Sequence, residues 1–201
     1  MTTRRAPSGA AVLQPEVTQA ITEAVLDELA AVGYGRLSME AVAKRAGVGK
    51  SALYRRWRSK DEMISAVVAE FSVSQASAPD TGTLRGDLLE LQRAVHAWLT
   101  HPRFARILPD LVAEGARNPD PAENLRSAIG GPRRDVAKRV FERAVTRGEL
   151  PADADVELAL DLLAGPMYWR LVVRREPSGP EFLERIVEHV LRALDAREPA
   201  N

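Results

Sequence analysis

Cysteine is absent from all 201 residues, which removes thiol catalysis, thiolate-bound zinc, iron–sulfur clusters and any disulfide framework together. No apolar run reaches the roughly 18 residues of a membrane span. Arg4 and Arg5 near the N-terminus are not followed by the apolar stretch of a secretory signal. A soluble, cytoplasmic chain without membrane contact is expected. Net charge is lacking as well, since 28 Lys and Arg balance 28 Asp and Glu, and aromatic residues make up only 5%. Strand-like alternation, internal repeats, a nucleophile elbow, a Walker loop and a Rossmann glycine pattern are all missing. Nothing marks an enzyme, no catalytic residue is assigned, and no cofactor is expected.

What is present is a 45% apolar fraction, enough for a real core at this length, arranged at helical spacing throughout. The fold class expected is all-α. Charge is unevenly spread: residues 33–60 hold eight basic side chains against the single acid Glu40, whereas residues 76–201 hold 18 basic and 20 acidic ones. Such a separation points to two functional regions.

Residues 1–13 show no periodicity and are expected as a flexible tail; Arg4 and Arg5 could form a minor-groove arm or merely solubilise it. Residues 14–58 read as a three-helix unit. Pro15 and Glu16 open its first helix, Val17, Ile21, Ala24, Val25, Leu29 and Val32 give it an apolar face, and Gly33 and Gly35 stop it. Ser38 caps a short second helix with Met39, Val42, Ala43 and Ala46 inward. After the tight Ala46-Gly47-Val48-Gly49 turn comes a third helix, which keeps Leu53 and Trp57 for packing. It turns Lys50, Ser51, Tyr54, Arg55 and Arg56 outward. This is a helix-turn-helix layout, and its hydroxyl and guanidinium groups suit phosphate oxygens and base edges.

Ser59-Lys60-Asp61-Glu62 is a capping box, so a connecting helix is expected over 59–74, with Met63, Ile64, Val67, Val68 and Phe71 on one stripe. Residues 75–201 read as a helical bundle with more apolar surface than one small domain needs to cover, the region to which the resemblance named below assigns ligand binding and dimerisation. One helix carries Leu84, Leu88, Leu91, Val95, Trp98 and Leu99. Another carries Phe104, Ile107, Leu108, Leu111 and Val112, with a kink expected at Pro109. A segment over 124–147 should be interrupted by Gly130-Gly131-Pro132 and stopped by Gly148. Residues 156–173 are apolar nearly all round, and residues 182–194 repeat an apolar stripe suited to bundle packing.

The run Ala46-Gly47-Val48-Gly49-Lys50-Ser51-Ala52-Leu53-Tyr54-Arg55-Arg56-Trp57-Arg58-Ser59-Lys60-Asp61-Glu62 resembles the signature of the tetracycline-repressor (TetR) family of bacterial transcription regulators. Gly33-Tyr34 and Leu37 to Ala43 fit as well, and the strong likeness covers residues 16 to about 71. Trp57 departs from the commoner Phe, and Arg58 stands where Pro is frequent. The resemblance implies a DNA-binding regulator. Tyr54 and Lys60 would hold phosphates, Ser38 would both cap and touch backbone phosphate, and Lys50, Ser51, Ala52 and Arg56 would lie nearest the bases. Further on, Arg143 to Leu150, Ala164-Gly165-Pro166 and Tyr168-Trp169 resemble one actinobacterial-type subset. The family also implies a homodimer through 156–173 and 182–194, and with it a palindromic operator in double-stranded DNA.

Trp98, Phe104, Phe141, Met167, Tyr168 and Trp169 are candidates to line a cavity for a small, mostly apolar effector, although core packing is the commoner role at such spacing. His96, His101 and His189 complete no evident ligand set, so no metal is expected. Isolated basic residues on a helix are usually a solvated face; here turn, packing aromatic, capping box and charge coincide. The reading is a dimeric repressor released by its effector. A same-fold regulator without a small-molecule ligand is the first alternative, and a helical enzyme or protein-interaction module the second.

Overall fold

The computed structural model describes residues 15–74 and 78–197, with the side chains of 73–74 and 119–129 left aside. The N-terminal tail, including Arg4 and Arg5, lies outside the described residues. The nine α-helices found among the described residues are α1 (Pro15–Arg36), α2 (Met39–Arg45), α3 (Lys50–Tyr54), α4 (Lys60–Ser74), α5 (Leu84–Thr100), α6 (Phe104–Arg117), α7 (Pro119–Thr146), α8 (Val156–Tyr168) and α9 (Pro180–Ala193). A π-helical turn, Trp169–Val173, extends α8. No strand occurs among the described residues.

The chain divides into two compact units, up to Ile64 and from Ser65. The boundary falls inside α4, so the helix expected as a separate connector is shared. Its first turn is bound to α1, whereas Phe71 further along stacks on Phe104 with ring centroids 5.8 Å apart.

In the first unit, Ile21, Ala24, Val25, Leu26 and Leu29 of α1 close over Val42, Ala43 and Leu53, all nearly free of solvent. Gly33 breaks α1 from within: its φ of 78° is a left-handed value that a residue with a Cβ adopts only with strain. Ser38 Oγ accepts a hydrogen bond from the Ala41 amide at 3.1 Å and caps α2 as expected. Gly47, at φ 67°, ends α2: the Val48 amide donates to Ala43 O and the Gly47 amide to Lys44 O. This double closure is the Schellman arrangement. Ser59 Oγ accepts from the Glu62 amide, while the Glu62 carboxylate reaches back to the Arg58 amide, one residue earlier than a standard capping box.

In the second unit, Leu84, Leu88, Leu99, Phe104, Ile107, Val140, Phe141, Met167 and Val187 form the centre of the core. The N-terminus of α5 is closed by Thr83 Oγ1, which accepts from Gly86, and by buried Glu149, whose Oε2 accepts from the Leu84 amide at 2.6 Å. Two expectations are corrected. The helix foreseen over 124–147 starts at Pro119, a favoured first-turn proline, and runs unbroken through Gly130-Gly131-Pro132. Interior glycine costs about 1 kcal/mol and proline about 3 kcal/mol, but Ala137, Val140, Phe141 and Ala144 follow at once and are buried. Their burial offsets the cost of the break. Residues 156–173 do not form one α-helix: beyond Pro166 the turn widens, and the Arg174 amide donates to Trp169 O, five residues back. Nor is 156–173 covered all round, because Leu158, Leu162, Trp169 and Val173 are exposed. α6 passes through Pro109 as a single helix.

Candidate DNA interface and ligand cavity

Helices α2 and α3 set the candidate interface. The Schellman turn at Gly47 re-aims the chain, Gly49 caps α3 by backbone alone, and Leu53 anchors α3 in the core. Residues one and two steps away from Leu53 on the helical wheel are thereby forced outward. Ser51, Tyr54 and Arg55 are exposed, Tyr54 by 55%. Their side chains make no hydrogen bond or ion pair among the described residues. Arg58 and Lys44 are exposed in the same way. Lys50 is exposed and pairs with Glu40, an ion pair open to solvent on both sides. Ala52 is half-buried, and Ser38 uses its hydroxyl on Ala41.

Two side chains expected on DNA, Arg56 near the bases and Lys60 on a phosphate, are engaged within the protein. Arg56 does not face outward: its Nη1 donates to Ala52 O at 3.0 Å and its Nη2 to Thr18 Oγ1 at 3.4 Å. It lies three residues beyond Leu53, about 60° from the buried face, and so folds back against α1. Lys60 is half-buried, with Nζ donating to Tyr34 O at 3.0 Å and lying 4.8 Å from the Tyr34 ring centroid. Arg45, which carried no assigned role, is held by Glu28 at 2.7 Å. The face left for a polyanion is therefore Lys44, Lys50, Ser51, Tyr54, Arg55 and Arg58.

In the second unit, α5, α6, α7 and α8 border a half-open cavity of about 620 Å³. Its wall is mostly apolar, built from Leu91, Val95, Leu99, Leu108, Val136, Leu160 and Leu163 with a few polar groups between. Of the six candidate lining residues only Trp98 and Tyr168 border it. Phe104, Phe141 and Met167 are fully buried and Trp169 is 59% exposed, and none of the four borders this cavity. The sequence reading missed Gln92 and Arg133. Gln92, 1% exposed, donates from Nε2 to Leu163 O at 2.7 Å. Its signal was legible: it is the one amide on the stripe Leu88, Leu91, Gln92, Val95, Leu99. Arg133 carried no such signal.

His101 packs edge-on against Phe71, and no cluster of three metal-ligating side chains occurs among the described residues. None of the described helices is long and apolar enough to cross a membrane.

Comparison with known proteins agrees with this geometry. Residues 21–67 match the family of bacterial regulatory proteins of the tetR family, and residues 78–190 match the tetracyclin repressor-like C-terminal domain. A DNA-binding transcriptional repressor TetR of Mycobacteroides abscessus is 31% identical over 180 residues, 87% of this chain and 92% of the relative. An HTH-type transcriptional regulator of Mycobacterium bovis is 31% identical over 159 residues, covering 79% of this chain and 78% of its own. The crystal structure of a TetR family transcription regulator superimposes with a TM-score of 0.72 at 31% identity, over 89% of this chain and 98% of that one. Helix-turn-helix, exposed cationic face, two matched domains and these relatives converge: the chain belongs to the TetR family of DNA-binding transcription regulators.

Proposed function

We propose that the protein is a homodimeric repressor that binds a palindromic operator through paired α3 helices and is released by a small, mostly apolar effector. It acts in the cytoplasm as a regulator and not as an enzyme. The observation that carries the DNA reading is the outward, unpaired set Ser51, Tyr54 and Arg55 on the second helix of the motif. Tyr54 and Arg55 hold phosphates, and Ser51 and Lys50 read base edges, with Ala52 close enough for a thymine methyl. Arg56 and Lys60 act at one remove, by positioning α3 and the start of α4.

Support for a dimer comes from the exposed apolar strip on α8 and its π turn, Leu158, Leu162, Trp169 and Val173, beside a groove lined by Phe182, Ile186 and Val190 of α9. A two-fold pair burying such a face sets two α3 helices about 34–36 Å apart, one turn of DNA. Support for an effector comes from the cavity, whose volume lies in the range of drug-sized sites; this favours the liganded regulator over one of the same fold without a ligand. Effector binding shifts the population of the two units away from operator spacing. Selection of bound duplexes from a random pool tests the reading. A palindrome with half-sites one turn apart is the expected product; unrelated sequences, or none retained at low salt, would overturn it.

A further inference from the structure

Two adjacent arginines on α7, Arg133 and Arg134, border the effector cavity, and their surroundings are opposite. Arg134 is satisfied from outside the cavity: Nη1 donates to Asp161 Oδ1 at 2.8 Å and Nη2 to Glu157 Oε2 at 2.6 Å. Arg133 has no such acid. Its guanidinium carbon lies 4.1 Å from the centroid of the Trp98 ring, and it makes no hydrogen bond or ion pair among the described residues. Burial pulls its pKa down from 12.5 to about 10, which still leaves it a cation at neutral pH. A guanidinium carries five N–H donors and cannot give them up. Stacking on an indole face offsets the loss of water only in part, because the donors point along the plane and remain unused.

A second group beside it is also unfilled. Trp98 is 8% exposed, and its Nε1–H is buried without a hydrogen-bond partner. Buried donors are ordinarily paired, and leaving one unpaired costs free energy. The cavity wall thus combines an unneutralised cation, an unpaired N–H and the unpaired buried Oε1 of Gln92 with a lining that is otherwise mostly apolar.

From this placement, and resting on the reading of the cavity as the effector site, we propose that the effector is an apolar carboxylic acid bound as its anion. Its carboxylate takes the Arg133 fork and the Trp98 Nε1–H, and its body lies along Leu91, Val95, Leu99 and Leu163. A carboxylate is planar and bidentate, which matches the guanidinium better than a hydroxyl or an amide does. A neutral apolar molecule would fill the volume but leave the half-buried cation without an anionic partner.

The test uses the full chain and matched probes of one body: decanoate, decan-1-ol and decanamide, followed by calorimetry and by tryptophan fluorescence. Nile red, a neutral dye, reports separately whether the cavity takes any ligand, with Ala164→Trp as the blocked control. Decanoate is expected to bind about 10- to 100-fold more tightly than decan-1-ol, the size of a charge-assisted hydrogen bond. Arg133→Met removes that preference while decan-1-ol binding persists. Should Arg133→Met fail to fold, the wild type decides: decanoate affinity must fall as the acid protonates below its own pKa, with decan-1-ol unaffected. Equal affinities for acid and alcohol, a preference that survives Arg133→Met, or a decanoate affinity indifferent to protonation overturns the acid assignment. The cavity reading then stands if Nile red binds and Ala164→Trp blocks it. If neither Nile red nor any probe binds, both fall.

Discussion

Lys60 Nζ donates to the backbone carbonyl of Tyr34 at 3.0 Å and sits over the same residue's ring, 4.8 Å from its centroid. The Tyr34 hydroxyl in turn donates to Asp61 Oδ1 at 2.6 Å. Together these contacts clasp the end of α1, just past the left-handed Gly33, to the first turn of α4. A lysine in this position is a structural fastener before it is a phosphate ligand. Lys60→Met should therefore destabilise the protein by about 1–2 kcal/mol, from one charged hydrogen bond and one partly desolvated cation–π contact. A thermal melt checks this; an unchanged midpoint with weakened DNA binding would return Lys60 to the role of a pure phosphate contact.

The exposed residues of α3 divide by what they can carry. In the proposed reading Arg55 and Tyr54 hold phosphates, which are the same in every sequence, so Arg55→Ala should weaken operator and random duplex alike and reduce the salt slope of log K by about 1. Ser51→Ala and Lys50→Ala should instead cost about 1–3 kcal/mol on the operator and little on random DNA. Binding assays over a salt series separate the two classes. Equal losses on both kinds of duplex for all three variants would remove the base-reading assignments.

Glu157, on the exposed side of α8, is held by Lys138, whose Nζ lies 2.6 Å from Oε1, and by Arg134, whose Nη2 lies 2.6 Å from Oε2. Hydrogen bonds from Lys138 first, and then from Arg134, lower its pKa from 4.5 to about 2. The folded value lies below the unfolded one, so the stabilising contribution is complete above about pH 4.5 and is lost as pH falls toward 2. The difference in melting temperature between wild type and Glu157→Gln should shrink over that window, and shrink further in high salt because the pair is exposed. A carboxyl resonance titrating at the ordinary glutamate value would contradict the arrangement.

How much of this was legible depended on how local the determinant is. The Ser38 cap, the left-handed Gly47 and the Ser59–Glu62 closure each involve residues within six positions, and the sequence shows all three. Gly148 stops α7 by the same Schellman chemistry. The side chains that misled are those whose partner is distant. Arg56 meets Thr18 and Lys60 meets Tyr34 across 38 and 26 positions, and periodicity carries no information about such encounters. The cavity is harder still, because four helices must meet to form it. Residue type and helical spacing alone did not separate the buried Phe104, Phe141 and Met167 from Trp98 and Tyr168 at the wall. Packing at Ala137, Val140 and Phe141 likewise overrode the Gly-Gly-Pro signal in α7.

The apolar strip on α8 offers the sharpest test of the dimer. Leu158 is 53% and Trp169 59% exposed, and an isolated protomer gains nothing from presenting them to water. In a two-fold interface every residue occurs twice, so one charged substitution buries two like charges near each other. Leu158→Asp and Trp169→Asp should leave the fold of each protomer stable to within about 0.5 kcal/mol, since both side chains are already at the surface. They should nevertheless convert the protein to a monomer in sedimentation velocity runs. Operator affinity should fall with dimerisation, because the second α3 is no longer held at high effective concentration beside its half-site. Each α3 stays intact, so weak binding to random duplex should persist. If both variants remain dimeric, the two-fold axis lies elsewhere on the bundle and the exposed strip serves a different partner.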